Sequence, residues 1–411
     1  MNRILTTAPL AAALGLSGLP VALADFVEDS HATIELRNFY MNRDFRQGGA
    51  PQSKAEEWGQ GFTARFTSGF TEGTIGVGVD AIGQVGLKLD SSADRRGTGL
   101  LPFDPATGEP GDDYSELGLT AKLRASKSVL RLGTLQPVLP VVTYNDTRLL
   151  SSTFQGGMVT FQEIDGLTLN GGRLTRVNLR DSSGRDELGY GAATSDAFNF
   201  AGGSYAVNRE LTLSYYYGEL EEIYRQHFAG LVHVWPLGEN TSLKTDLRYF
   251  DSRDEGAKRA GDIDNRNFNG MLTLSHGGHR FSGAWQRMTG DGAFPVLNGG
   301  DPYSVNLVTY NTFTREGEDA WQARYDYDFT AMGIPGLSFM TRYVSGRNAQ
   351  TPVGNAGREW ERDTDLAYIV QAGPLKGFSV RWRNLTFRSS NGLTTDIDEN
   401  RLILGYTLAL W

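Results

Sequence analysis

From His31 to the C-terminal Trp411 the chain alternates apolar and polar positions with a period of two. That is the repeat of strands with one face turned to an apolar medium. Between Gly61 and Phe70, residues Phe62, Ala64, Phe66 and Phe70 fall on one face, and Thr63, Arg65, Thr67 and Gly69 on the other. Leu211, Leu213, Tyr215 and Tyr217 alternate with Thr212, Ser214 and Tyr216. Trp321, Ala323, Tyr325, Tyr327 and Phe329 alternate with Gln322, Arg324, Asp326 and Asp328. In the last segment Leu402, Leu404, Tyr406, Leu408 and Leu410 oppose Arg401, Gly405, Thr407 and Ala409, a register that also puts Trp411 on the inner face. After Asp25 no helical stripe exceeds three turns.

The connections alternate in length. Eight short turns, at 71–73, 125–128, 164–166, 208–210, 238–241, 276–279, 332–336 and 373–377, carry the Gly, Asn, Asp and Pro that tight turns need. Between them lie nine longer polar segments: 43–57, 91–113, 134–156, 180–194, 218–223, 251–264, 288–315, 346–361 and 389–398. Together they imply eighteen antiparallel strands. Short turns at one end and long loops at the other are the layout of an outer-membrane β-barrel, apolar outside and polar within. Closure satisfies every strand edge, as a bilayer requires. The fold class expected is therefore all-β: a single 18-stranded antiparallel transmembrane barrel over residues 25–411. An exported sandwich is the competing fold, but it has no need of the long–short rhythm. No fixed-period repeat suggests a solenoid.

Composition narrows the picture. The 411 residues include 51 glycines and no cysteine, which excludes a disulfide framework and a thiolate metal site. Acids outnumber bases 48 to 39 with no basic block, so nucleic acid is not an expected partner. Residues 1–24 read as an export signal: Arg3, the apolar stretch Ala8 to Leu19, and the small-residue site Ala22-Leu23-Ala24, with cleavage after Ala24. Together with the barrel, this places the protein in a Gram-negative outer membrane, against its lipid and lipopolysaccharide.

Of the 39 bases, 32 are arginine. Alternation sends Arg37, Arg65, Lys122, Arg124, Arg131, Arg381, Arg383 and Arg401 to the inner face. Arginine stays charged and binds carboxylates in a planar fork. A row of them passes a carboxylate from site to site, provided each site also lets go. The third long segment is too apolar for an outside loop: Leu135, Val138, Leu139, Val141, Val142 and Leu149, stiffened by Pro137 and Pro140. Its polar tip, Tyr144, Asn145, Asp146 and Arg148, points to insertion into the barrel as a constriction.

Several segments resemble the OprD family of outer-membrane channels: Phe26-Val-Glu-Asp-Ser30, Arg37-Asn-Phe-Tyr-Met-Asn-Arg-Asp-Phe45, the run Ser68 to Ala81, Gly86-Leu-Lys-Leu-Asp90, Glu219 to Gln226, Trp321 to Asp326 and Gly333 to Tyr343. The resemblance covers nearly the whole chain. It implies third and seventh loops folded inward, an arginine ladder and uptake of small carboxylates. The ladder carries over to Arg131, Arg381, Arg383 and Arg401, and further to Arg37, Arg65 and Arg124. Family members that prefer basic amino acids look to carry an acid two positions after a Tyr of the seventh loop. Here that stretch is Tyr310-Asn311-Thr312-Phe313, and Asp291 and Asp301 are the acids left in the loop's first half. The expectation is a channel for cyclic or aromatic carboxylates, with no enzymatic activity and no cofactor, and with at most a weak homotrimer as its assembly. A basic amino acid or small-peptide porin of the same fold, an exporter of an acidic polysaccharide, and an adhesin or lectin stay open. The five histidines, including His276 and His279 in one turn, form no zinc-ligand pattern, so no metal is expected.

Overall fold

The computed structural model describes residues 24–46, 50, 52–351 and 354–411; apart from Ala24, the expected export signal lies outside the described residues. A short helix, α1 (Ala24–Glu28), precedes the strands. In chain order these are β1 (His31–Phe45), β2 (Lys54–Thr67), β3 (Ile75–Asp90), β4 (Asp113–Ala125), β5 (Ser128–Leu135), β6 (Val138–Leu139), β7 (Val142–Thr143), β8 (Thr153–Phe161), β9 (Leu167–Asn178), β10 (Leu188–Tyr190) and β11 (Ala193–Ser195). There follow β12 (Phe198–Ala206), β13 (Leu211–Leu220), β14 (Tyr224–Gly238), β15 (Thr241–Asp254), β16 (Asp264–His276), β17 (His279–Asp291), β18 (Asp319–Asp328), β19 (Leu337–Thr351), β20 (Gly354–Ile369), β21 (Ser379–Ser389) and β22 (Ile397–Ala409). Eighteen of them form one antiparallel sheet, and β1 pairs with both β2 and β22, which closes the barrel. The hairpins β6–β7 and β10–β11 stand apart within connections.

Burial follows the alternation, inverted relative to a water-soluble protein. On β4, Leu117, Leu119 and Leu123 are exposed while Thr120 and Lys122 are buried. Trp58, Trp285, Trp321 and Trp382 also stand exposed on the outer face. Lipid covers such a face in a membrane barrel. β22 keeps the expected register, with Arg401 buried and Leu402 exposed. It ends at Ala409, and beyond that point the Trp411 ring lies tilted beside Phe66, centroids 6.3 Å apart, on the side of β2 that carries exposed Phe62. The terminal ring thus sits outside, contrary to the count by twos, because the count lapses where the strand ends.

Several boundaries differ from the sequence expectation, among them the end of β18 at Asp328, which leaves Phe329 in a short 3-10 helix. β2 stops at Thr67, so Phe70 belongs to the turn before β3. The segment 346–361 is mostly strand and 218–223 is strand over its first half: β13 and β14 pair up to Leu220↔Tyr224, and β19 and β20 up to Thr351↔Gly354. Polar residues on the inner face, and on both faces above the membrane, erase the apolar alternation there without ending the backbone pairing.

Inside, the third connection packs on the wall. Its Leu135, Val141 and Val142 join a buried cluster with Phe198, Phe200, Tyr216, Phe228 and Phe250 from β12 to β15 and with Phe294 and Leu297 of the seventh connection. Gly61 of β2 admits the same connection: a Cβ there would lie 2.8 Å from the Leu149 carbonyl oxygen.

Candidate functional site

Strand pairing stacks the arginines. Arg383 faces Arg401 between β21 and β22, Arg381 faces Ile403, and Arg37 faces Gly405 between β1 and β22. Above them Arg43 and Arg401 both hold the buried Glu399, at 2.6 and 2.5 Å. Arg383 donates to Asp365 of β20 at 2.8 Å, and Arg381 approaches the same carboxylate at 3.4 Å. Arg37 donates to Glu35 at 2.7 Å, to Asp146 at 2.7 Å and to the Arg148 carbonyl at 2.8 Å. The tip of the third connection is therefore bonded to the β1 wall.

That tip meets the seventh connection. Asn145 donates to Asp301 at 3.3 Å, and Arg401 donates to the Thr309 carbonyl at 3.0 Å. A cavity of about 610 Å³ lies where they converge. Arg37, Arg148, Arg180, Arg381, Arg383 and Arg401 line it, with only Glu35, Asp146 and Asp301 as carboxylates. Tyr310 also lines it, held between Phe387 at 5.1 Å and the Arg43 guanidinium at 5.0 Å.

Arg148 and Arg180 differ from the others. Arg148 donates to the Thr98 and Thr147 carbonyls, both at 2.9 Å. Arg180 donates to Asn145 at 2.9 Å and to the Thr147 hydroxyl at 2.7 Å. Neither has a carboxylate partner among the described residues. Burial lowers both pKa values from the ordinary arginine range; Arg401 and Arg180 lower that of Arg148 further, whereas the Asp181 and Asp301 carboxylates pull against burial at Arg180. Burial raises that of Asp301, against the pull of Arg180 and Arg148. Two buried guanidinium groups that form no ion pair among the described residues favour an incoming anion.

A second cavity, of about 490 Å³, carries Arg65 and Arg131 opposite Leu135, Pro137, Val138 and Leu139 of the third connection. Arg65 reaches Glu35 at 3.3 Å, and Arg131 makes no ion pair or hydrogen bond among the described residues. Arg124 belongs to neither cavity; its guanidinium lies over the Phe70 ring at 4.4 Å, by the β2–β3 turn. Asp291 also lies apart, closing β17 opposite Asp264. Tyr144 packs against the apolar cluster and does not line the larger cavity.

The sequence reading missed Arg180 and four acids of β20: Glu359, Glu361, Asp363 and Asp365, all buried. A signal existed, since these acids recur at every second residue from 359 to 365. Two of them lie within 346–361, a segment whose polar sequence reads as a loop.

Comparison with known proteins follows the same line. Residues 24–410 match the family model described as outer membrane porin, OprD family. The porin-like protein GalP of Pseudomonas putida is 40% identical, with 99% of this chain and 98% of that one aligned. The crystal structure of Pseudomonas aeruginosa OccK9 (OpdG) superposes with a TM-score of 0.92 at 47% identity, over 94% of this chain and all of that one. That of Pseudomonas aeruginosa OpdK with vanillate gives 0.88 at 41% identity, again over 94% and 100%.

Proposed function

The chain belongs to the OprD family of outer-membrane porins, and within that family we propose that it admits small carboxylates, cyclic or aromatic acids first among them. The passage runs between the third and seventh connections, which narrow the lumen at the arginine-lined cavity. One observation carries the reading: six guanidinium groups and three carboxylates surround that cavity, and Arg148 and Arg180 have no carboxylate of their own. A substrate carboxylate supplies the missing partner, and Arg381, Arg383 and Arg37 continue the path along the β21–β22–β1 wall. Arg65 and Arg131 receive it in the second cavity. The vanillate of the OpdK structure is an aromatic carboxylate, which supports the class. The tip of the seventh connection, Tyr310-Asn311-Thr312, offers no acid to a basic amino acid. An export leader cleaved after Ala24, an outer belt in contact with lipid and lipopolysaccharide, and at most a weak homotrimer complete the proposal.

Reversal potentials in planar bilayers test it. With gradients of potassium benzoate and of lysine chloride on the same channel, the benzoate anion should permeate more readily than the lysine cation. Lysine permeating as well as benzoate would overturn the reading in favour of a basic amino acid porin.

A further inference from the structure

Residues 304–315 of the seventh connection are fastened to the inner wall mostly through their own main chain. The Val305 N–H donates to Asn269 of β16 at 3.2 Å, and the Val305 carbonyl accepts from Gln322 of β18 at 3.0 Å. The Leu307 carbonyl accepts from Arg342 of β19 at 3.3 Å. The Thr312 and Phe313 carbonyls accept from Gln286 of β17, at 3.3 and 2.5 Å. At the tip, the N–H groups of Tyr310 and Asn311 donate to the two oxygens of one carboxylate, Glu361 of β20, at 2.9 and 2.8 Å. Asn311 also reaches Glu359 through its side-chain amide, at 2.5 Å. Glu361 is completely buried and has no arginine within ion-pair distance among the described residues.

A carboxylate is the one side chain that accepts two adjacent N–H groups with two equivalent oxygens. The tip also carries strain. Phe313 has φ of 53°, a region costly for a bulky residue, and is held there by burial against Val308, Ala320 and Val344. The wall leaves room for this only because position 346 is glycine: a Cβ there would lie 2.0 Å from a Glu318 oxygen and 3.0 Å from the Phe313 ring.

We propose that Glu361 is the positioning residue of the constriction: it clamps the tip of the seventh connection by its main-chain amides, and so sets the width of the passage from the barrel wall. Tyr310 stands at the cavity because its own N–H is held. The tip is then held from β20 through main-chain atoms that every residue type at 310 supplies, proline apart. This rests on the reading that the passage runs between the two connections, but not on the substrate being a carboxylate.

The test is Glu361→Gln, which keeps volume and removes one acceptor, turning an amide NH2 toward an N–H. Heat-modifiable gel mobility establishes that the barrel has folded. Expected are a higher single-channel conductance in potassium chloride and faster hydrogen exchange at 309–311, with exchange across 91–112 unchanged. Glu361→Asp keeps both oxygens but withdraws them by one methylene from the Tyr310 and Asn311 N–H groups; it should raise conductance too, and it serves if the first variant fails to fold. Folded Glu361→Gln with wild-type conductance and wild-type exchange at 309–311 would overturn the clamp. Replacing residues 137–148 by a short Gly-Ser linker distinguishes the two failures. If conductance rises there but not in Glu361→Gln, the clamp alone is wrong; if it rises in neither, the location of the passage is wrong.

Discussion

Removing Arg381 and removing Arg401 should differ in their effect on stability, although both lie on the arginine wall. The Arg381 side chain is 50% exposed and shares Asp365 with Arg383, which stays bonded to that acid at 2.8 Å. Arg381→Ala therefore leaves no orphaned charge, and the barrel should fold normally. A charge-assisted contact with substrate is worth about 1.5–3 kcal/mol when well buried. Half exposure and a competing Asp365 reduce this to about 1 kcal/mol, roughly five-fold in transient binding. Arg401 is only 3% exposed at its side chain, ties the fully buried Glu399, and holds the Thr309 carbonyl of the seventh connection. Breaking a buried pair costs about 3–5 kcal/mol, and the lower end applies because Arg43 continues to hold Glu399. Proteoliposome uptake of a labelled aromatic carboxylate, with heat-modifiable mobility on the same preparations, separates the two. Arg381→Ala should lose uptake and keep its unfolding temperature; Arg401→Ala should lose both. Wild-type uptake by folded Arg381→Ala would remove that residue from the path. An unchanged unfolding temperature in Arg401→Ala would refute the division of labour along the wall.

Replacing 137–148 with a short linker should raise single-channel conductance and blunt carboxylate selectivity, since the tip bonded to Arg37 is lost; unchanged currents would place that connection off the passage. Burial holds Asp301 above the usual carboxylate range, so it takes up its proton early as pH falls from neutral. Protonation removes a negative charge beside Arg148 and Arg180, and anion selectivity should rise as pH drops. Asp301→Asn should start higher and respond less, as reversal potentials would read. Leu404→Arg, on the outer face between Asn38 and Val380, should destabilise the barrel by about 2–4 kcal/mol at mid-bilayer. Thr407→Arg should be far milder, because its register partner is Glu35; urea unfolding of both variants checks the pair, and the reverse order would shift the register by one residue.

The strands were legible because lipid imposes a simple rule on one face, and Leu402 to Leu410 obey it at every second position. The arginine column was legible for the same reason, since a charge between two leucines, as at Arg131, has only the lumen to face. The apolar third segment announced that it packs on something, and Phe228 and Phe250 are what it packs on. The inner wall of β16 to β20 was not legible. Asn269, Gln286, Gln322 and Glu361 look in sequence like residues facing water, yet each is buried beneath the seventh connection. A hydrogen-bonding side chain gives no sign of whether its partner is solvent or a loop's main chain. Arg180 was hidden for a related reason: a polar residue in a polar connection acquires meaning only when Asn145 and Thr147 are brought to it from another loop.

The acids on the arginine wall also have a purpose. An arginine column without counter-charges would bind a carboxylate tightly at its first rung and stall, because conduction needs sites that release. Asp365 beneath Arg381 and Arg383, Glu35 beneath Arg37 and Arg65, and Asp146 beside Arg37 each compete for the guanidinium that a substrate would use. They lower the affinity of every rung without removing its charge. The exceptions are Arg148 and Arg180 in the larger cavity and Arg131 in the second. On the proposed function, strong sites in the cavities joined by weakened ones along the wall would draw a carboxylate in and let competition from the wall acids free it. Neutralising Asp365 should on this reasoning slow passage even as it tightens binding, because the rung it weakens would become a trap.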